Sequence, residues 1–132
     1  MNFQELKGKV ALVTGGAQGI GRTLVESLAT QGVKVAVVDY NEEQLNLQVN
    51  RLKEQGFDVF AFPANVGESK AVDAIVEQVE NEIGPIEMLV NVAGVLSSGP
   101  IQSFSDQDWA RTFSINTTGV FNVSRAVSRY MV

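Results

Sequence analysis

The chain has 132 residues, 45% hydrophobic and 19% charged, with a formal net charge of −5. That is enough apolar material for one domain with a sizeable core, and interspersed charges without a basic patch make nucleic acid and anionic membrane poor partners. The absence of Cys and His excludes a disulfide framework, thiolate chemistry and a Ser-His-Asp triad, and it argues against any metal site of the zinc type.

The N-terminal residues 1–7 lack an apolar h-region, and no apolar run approaches the length of a membrane span. A soluble cytoplasmic protein is therefore expected. A first strand is predicted at about 9–13, and a helix from about 19 to 31 with Ile20, Leu24 and Leu28 on one face and Gly32 as its stop. A second strand is predicted over 33–38. Asn41, with Gln44 three residues on, starts a second helix whose stripe is Leu45, Val49 and Leu52 and whose end is Gly56. A third strand is expected over 57–62, ahead of Pro63. A third helix follows over roughly 68–83, with Val72, Ile75, Val76, Val79 and Ile83 at helical spacing. Gly84 and Pro85 break it before a fourth strand over 86–91. After a loop from Gly94 to Ser103, Ser105 and Asp108 mark a capped helix continuing to about the end.

This alternation reads as a Rossmann-type α/β fold: a doubly wound parallel sheet in one domain spanning residues 1–132, with short apolar strands covered on both faces. Right-handed crossovers give a parallel sheet, and the expected strand order 3-2-1-4 places a switch point between strands one and four. The ligand crevice is expected there. Gly15 to Gly21, Asp39, Asn65 and the stretch from Asn91 to Gly94 all fall at the carboxyl ends of the strands.

Residues 14–21 read Thr-Gly-Gly-Ala-Gln-Gly-Ile-Gly, directly behind the apolar run of strand one. The spacing is Gly15-x-x-x-Gly19-x-Gly21. Glycines let the backbone turn sharply and approach a pyrophosphate, and the helix N-terminus behind them offers free N–H groups and partial positive charge. Asp39 ends the second strand, where its carboxylate can accept hydrogen bonds from both hydroxyls of an adenosine ribose. A strand, a glycine turn, a helix and this carboxylate together indicate a dinucleotide site, whereas a glycine turn alone can be mere turn chemistry. The carboxylate also stands where NADP would carry its 2′-phosphate, Tyr40 follows it, and Gly16 and Ala17 supply no cation. NAD is the expected cofactor.

The glycine motif, Asp39, the stretch Asn91-Val92-Ala93-Gly94 and Asn116 together resemble the short-chain dehydrogenase/reductase family, over all 132 residues but only the first half of a member's usual length. The resemblance implies that Gly15, Gly19, Ile20 and Gly21 form the diphosphate loop, that Asp39 meets the adenosine ribose and that Asn65 and Val66 meet the adenine edge. It implies that Asn91, Ala93 and Gly94 line the cofactor crevice. Asn116 would be a catalytic residue that kinks a helix and helps hold a water in a proton relay. It further implies NAD-linked oxidation of a small-molecule substrate and a homo-oligomer, a tetramer, at full length. Two departures stand out: Asn65 replaces the family's usual Asp, keeping an acceptor oxygen but losing the charge, and Val92 replaces the second Asn of Asn-Asn-Ala-Gly. Stretches such as Val38-Asp39-Tyr40-Asn41 and Ala61-Phe62-Pro63-Ala64 are similar to a narrower bacterial group that aromatises a dihydrodiol acid with NAD in catechol-siderophore biosynthesis.

Other residues carry plainer readings. Thr14 can contact a cofactor or tie neighbouring strands. Arg22 reads as a solvated helix residue rather than a 2′-phosphate partner. Ser97 and Ser98 fit a substrate loop and ordinary loop polarity equally. Trp109, Phe113 and Phe121 read as core or subunit contacts rather than a stacking platform. The family's Ser and Tyr-x-x-x-Lys are missing, since Tyr130 has no residue four positions on. The chain is therefore expected to be the N-terminal part of a longer dehydrogenase, silent by itself. The alternatives are another dehydrogenase of the same family, acting on a sugar, a steroid or an acyl thioester, and an inert dinucleotide-binding module.

Overall fold

The computed structural model describes residues 4–132; Met1 to Phe3, where the expectation of an N-terminus without an h-region begins, lie outside the described residues. Four parallel strands, β1 (Val10–Thr14), β2 (Lys34–Asp39), β3 (Val59–Pro63) and β4 (Ile86–Asn91), form one sheet in the order β3-β2-β1-β4. The order is the expected one, and it places the switch point between β1 and β4.

Alternation along the two inner strands sends successive side chains to opposite faces. Ala11, Val13, Val35 and Val37 pack with Val25 and Ala29 of α1 (Gly19–Thr30) and with Leu45, Val49 and Leu52 of α2 (Glu42–Glu54). Val10, Leu12, Ala36 and Val38 pack on the other face with Val72, Val76 and Val79 of α3 (Ser69–Glu82) and with Val123, Ala126 and Val127 of α5 (Gly119–Met131). Both faces are covered, which is why these strands read as unbroken apolar runs. The Asn41 side chain accepts from the Gln44 N–H at 3.1 Å, and Ser105 accepts from the Asp108 N–H at 3.0 Å to open α4 (Asp106–Phe113). Both starts are where the side-chain oxygens predict them.

Three expectations are corrected. Helix α1 buries Gly21, Val25 and Ala29 most deeply; of the expected stripe, Leu24 and Leu28 pack half-buried against the core, and Ile20 is 81% exposed. The reason is the turn itself: Gly21 packs on Gly15, which rotates the helix so that the glycine side faces inward. The last helix is not continuous either. A π-helical segment, Ser114–Thr118, separates α4 from α5. Of the two readings of Trp109, Phe113 and Phe121, core and subunit contact, the structure removes the first: all three lie exposed, with the Trp109 and Phe113 rings tilted at 35° and 4.8 Å apart between centroids. Among the described residues no helix is long and apolar enough to cross a membrane.

Candidate functional site

The carboxyl ends of the strands open onto a groove of about 590 Å3, within the range of small-molecule and cofactor sites. One wall is the turn between β1 and α1. Gly15 has φ +70°, and a Cβ there would lie 2.6 Å from the Ala93 backbone nitrogen. A Cβ on Gly21 would lie 2.0 Å from the Gly15 carbonyl oxygen. Neither position admits a side chain, so the backbone of the turn is pressed against α1 on one side and the β4 loop on the other. Gln18 caps α1 in extended geometry, and its side chain accepts no cap hydrogen bond from the first-turn N–H groups. An uncapped helix start beside a glycine turn suits an anionic diphosphate.

Asp39 joins this wall to the tip of β2. Its Oδ2 accepts from the Ala17 N–H at 3.0 Å and its Oδ1 from the Asn41 N–H at 2.9 Å. The Gly15 N–H donates to the Val38 carbonyl at 2.8 Å alongside. Thr14, 1% exposed, ties the other side: its Oγ1 accepts from the N–H groups of Val92 (3.1 Å) and Ala93 (3.2 Å). Thr14 thus ties the end of β1 to the residues that follow β4.

The opposite wall is built from amide side chains. Asn116 pairs with the Val95 peptide in both directions: its Oδ1 accepts from the Val95 N–H at 2.7 Å, and its Nδ2 donates to the Val95 carbonyl at 2.8 Å. The π segment carries this residue, and the Gly119 N–H bonds back to the Ser114 carbonyl. Such single wide turns are frequent at functional sites. Asn122, 4% exposed, donates to the Val66 carbonyl at 2.9 Å, and the Asn91 amide donates to the Ser124 hydroxyl at 3.2 Å. The Asn65 Oδ1 accepts from the Gly67 N–H at 2.8 Å, so the oxygen assigned to an adenine contact also closes a local turn. A Cβ on Gly67 would lie 2.3 Å from the Ser114 hydroxyl, so this turn packs closely on the π segment.

Of the sequence-assigned residues, Gly15, Asp39, Asn65, Val66, Ala93 and Gly94 line the groove. Gly19, Ile20 and Gly21 form the start of α1 behind the turn, and Asn91 and Asn116 brace the opposite wall instead of lining it. Gln18, Tyr40, Arg111 and Ile115 also line it and were not singled out as site residues. Arg111 and Ile115 are four positions apart around a helical turn, a signal that becomes readable only once the partner of that face is known. Arg22, on the exposed side of α1, donates to Glu26 at 3.3 Å, and Arg51 of α2 donates to the same oxygen. No cluster of acidic residues that could hold a metal ion occurs among the described residues.

The family model described as short chain dehydrogenase matches residues 9–132. The chain belongs to that family. It is 53% identical over 132 residues to a Bacillus subtilis (strain 168) protein named 2,3-dihydro-2,3-dihydroxybenzoate dehydrogenase, covering 100% of this chain and 51% of that relative. It is 42% identical over 127 residues to the 5-keto-D-gluconate 5-reductase of Escherichia coli (strain K12), covering 96% of this chain and 50% of the relative. A gluconate 5-dehydrogenase from Burkholderia cenocepacia J2315, solved in complex with NADP and tartrate, superposes with a TM-score of 0.87 at 37% identity, over 96% of this chain and 49% of that one. The chain thus spans about half the length of these relatives. The Rossmann-type sheet and its glycine turn are those of a short-chain dehydrogenase.

Proposed function

We propose that this chain is the dinucleotide-binding part of an NAD-dependent short-chain dehydrogenase that oxidises 2,3-dihydro-2,3-dihydroxybenzoate to 2,3-dihydroxybenzoate in siderophore biosynthesis. The observation that carries the nucleotide part is the pairing of the side-chain-free turn at Gly15 with the carboxylate of Asp39 on one groove. The substrate part is supported by the 53% identity to the Bacillus subtilis relative and by that relative's name.

Within this reading the chain's own residues bind and orient. The turn and the α1 N-terminus hold the diphosphate, Asp39 accepts the ribose hydroxyls, and Asn65 and Val66 flank the adenine. Ala93 and Gly94 line the crevice towards the reacting ring, and Asn116 fixes the Val95 peptide beside it. Bound there, the nicotinamide supplies the hydride acceptor. The substrate loses a hydride from its hydroxyl-bearing carbon and the hydroxyl proton, and the resulting ketone tautomerises to the catechol. The proton is taken by the Ser and Tyr-x-x-x-Lys group that the family resemblance places in the second half of the enzyme. Positioned acid–base groups of this kind contribute about 10²–10⁴-fold to rate. The enzyme is expected to be a cytoplasmic homotetramer.

The test is NADH appearance with the dihydrodiol acid. Turnover of that acid supports the reading. Its absence beside brisk turnover of gluconate or another sugar acid would favour the second reading, a sugar-acid dehydrogenase, for which the 42% identity to the 5-keto-D-gluconate 5-reductase speaks. For the cofactor, two like charges about 4 Å apart in a partly shielded site cost on the order of a hundredfold in affinity, so NAD should bind well ahead of NADP. Equal binding of the two would refute the assignment of Asp39.

A further inference from the structure

Asp39 has a second task in this structure, and it rests on the dinucleotide reading above. Both of its carboxylate oxygens accept backbone N–H groups: Oδ2 from Ala17 at 3.0 Å and Oδ1 from Asn41 at 2.9 Å. Ala17 is 2% exposed, so without that oxygen its N–H would be a buried donor lacking its acceptor. The bond spans 22 positions and ties the middle of the glycine turn to the tip of β2. Beside it on that side runs the backbone bond from the Gly15 N–H to the Val38 carbonyl, 2.8 Å long.

We infer that Asp39 is a positioning residue for the phosphate-binding turn as well as the partner of the ribose, so that one carboxylate couples nucleotide selection to phosphate grip. An ionised carboxylate offers about four acceptor sites. Two are used on the backbone, and about two remain for the two ribose hydroxyls. The ribose then docks on a carboxylate whose orientation is set in advance, and the turn holds its shape before the diphosphate arrives. Removing the carboxylate to admit NADP loosens the turn that every nicotinamide nucleotide needs.

The probe that separates the two tasks is nicotinamide mononucleotide, which carries a phosphate and no adenosine ribose. In the intact dehydrogenase, Asp39→Ala is expected to raise the KM for this mononucleotide about tenfold, the size of one lost charge-assisted hydrogen bond. In the ligand-free protein, hydrogen exchange at the Ala17 amide should rise by about the same factor, with the rise confined to residues 15–21 and to Asn41, whose N–H loses the other carboxylate oxygen. An unchanged mononucleotide KM, unchanged exchange at Ala17, or a rise spread over the whole sheet would each overturn the inference. Asp39→Asn keeps the side-chain shape and one acceptor oxygen. It should move both readouts in the same direction, and it carries the test if the Ala variant fails to fold. An unmodified protein that binds neither NAD nor the mononucleotide would overturn the dinucleotide reading itself.

Discussion

The two walls of the groove are built on different principles. The wall formed by β1, the turn and α1 is held by backbone geometry: a left-handed glycine, a carbonyl pressed against Gly21, and N–H groups bonded to the tip of β2. The wall formed by residues 92–95 and the α4–α5 junction is held by side-chain amides reaching across the fold, with Asn116 on the Val95 peptide and Asn122 on the Val66 carbonyl. Backbone geometry tolerates no added atom, whereas an amide can be removed one bond at a time. The first wall should therefore fail abruptly on substitution and the second by degrees.

The largest effect is expected at Gly15. An Ala there must adopt a φ of +70° and place its Cβ 2.6 Å from the Ala93 nitrogen. Strain and overlap together should cost about 3 kcal/mol or more, read as a lower denaturant midpoint with loss of NAD binding. Gly19 sharpens the contrast: its φ is +60°, but nothing lies within 4 Å of a Cβ, so Gly19→Ala should cost about 1 kcal/mol of strain alone. Equal losses at the two glycines would remove the distinction between conformation and close approach.

Asn122 comes next. Replacing this buried residue by Leu leaves the Val66 carbonyl without its donor and should cost about 2 kcal/mol in equilibrium unfolding. A neutral result would mean that the second wall does not depend on this bond.

The smallest stability effect is expected at Asn116, which is exposed. Asn116→Ala frees a peptide that water can solvate, so stability should change by about 1 kcal/mol or less. Turnover of the intact enzyme should fall further, roughly a hundredfold in kcat, because the crevice wall at Val95 loses its position. A large loss of stability with unchanged kcat would make Asn116 a structural residue and nothing more.

The two edges of the sheet differ as well. β3 ends on Pro63, and Lys53 lies over its Phe60 ring at 6.0 Å. β4 pairs with β1 on one side, and its residues Met88 to Asn91 are all partly exposed. An apolar strand with one unpaired edge is a surface that proteins normally cover.

The sequence by itself determined the element order, the parallel sheet and the turn-facing wall of the groove. These follow from local rules: apolar runs set strands buried on both faces, side-chain oxygens at Asn41 and Ser105 set helix starts, and glycine is the residue that turns a strand sharply into a helix. The same rules pointed to Asp39, because the tip of the neighbouring strand must lie beside the turn. Tertiary structure decided the rest. Which face α1 buries most deeply depends on Gly21 meeting Gly15, a contact that helical periodicity does not contain, and so of the predicted stripe Leu24 and Leu28 pack at the core's margin while Ile20 is exposed. The π segment, the Asn116–Val95 pairing and the presence of Arg111 and Ile115 on the groove come from contacts that bring distant residues together. An amide at position 116 reads the same in any helix until the peptide it bonds, 21 positions earlier, is placed beside it.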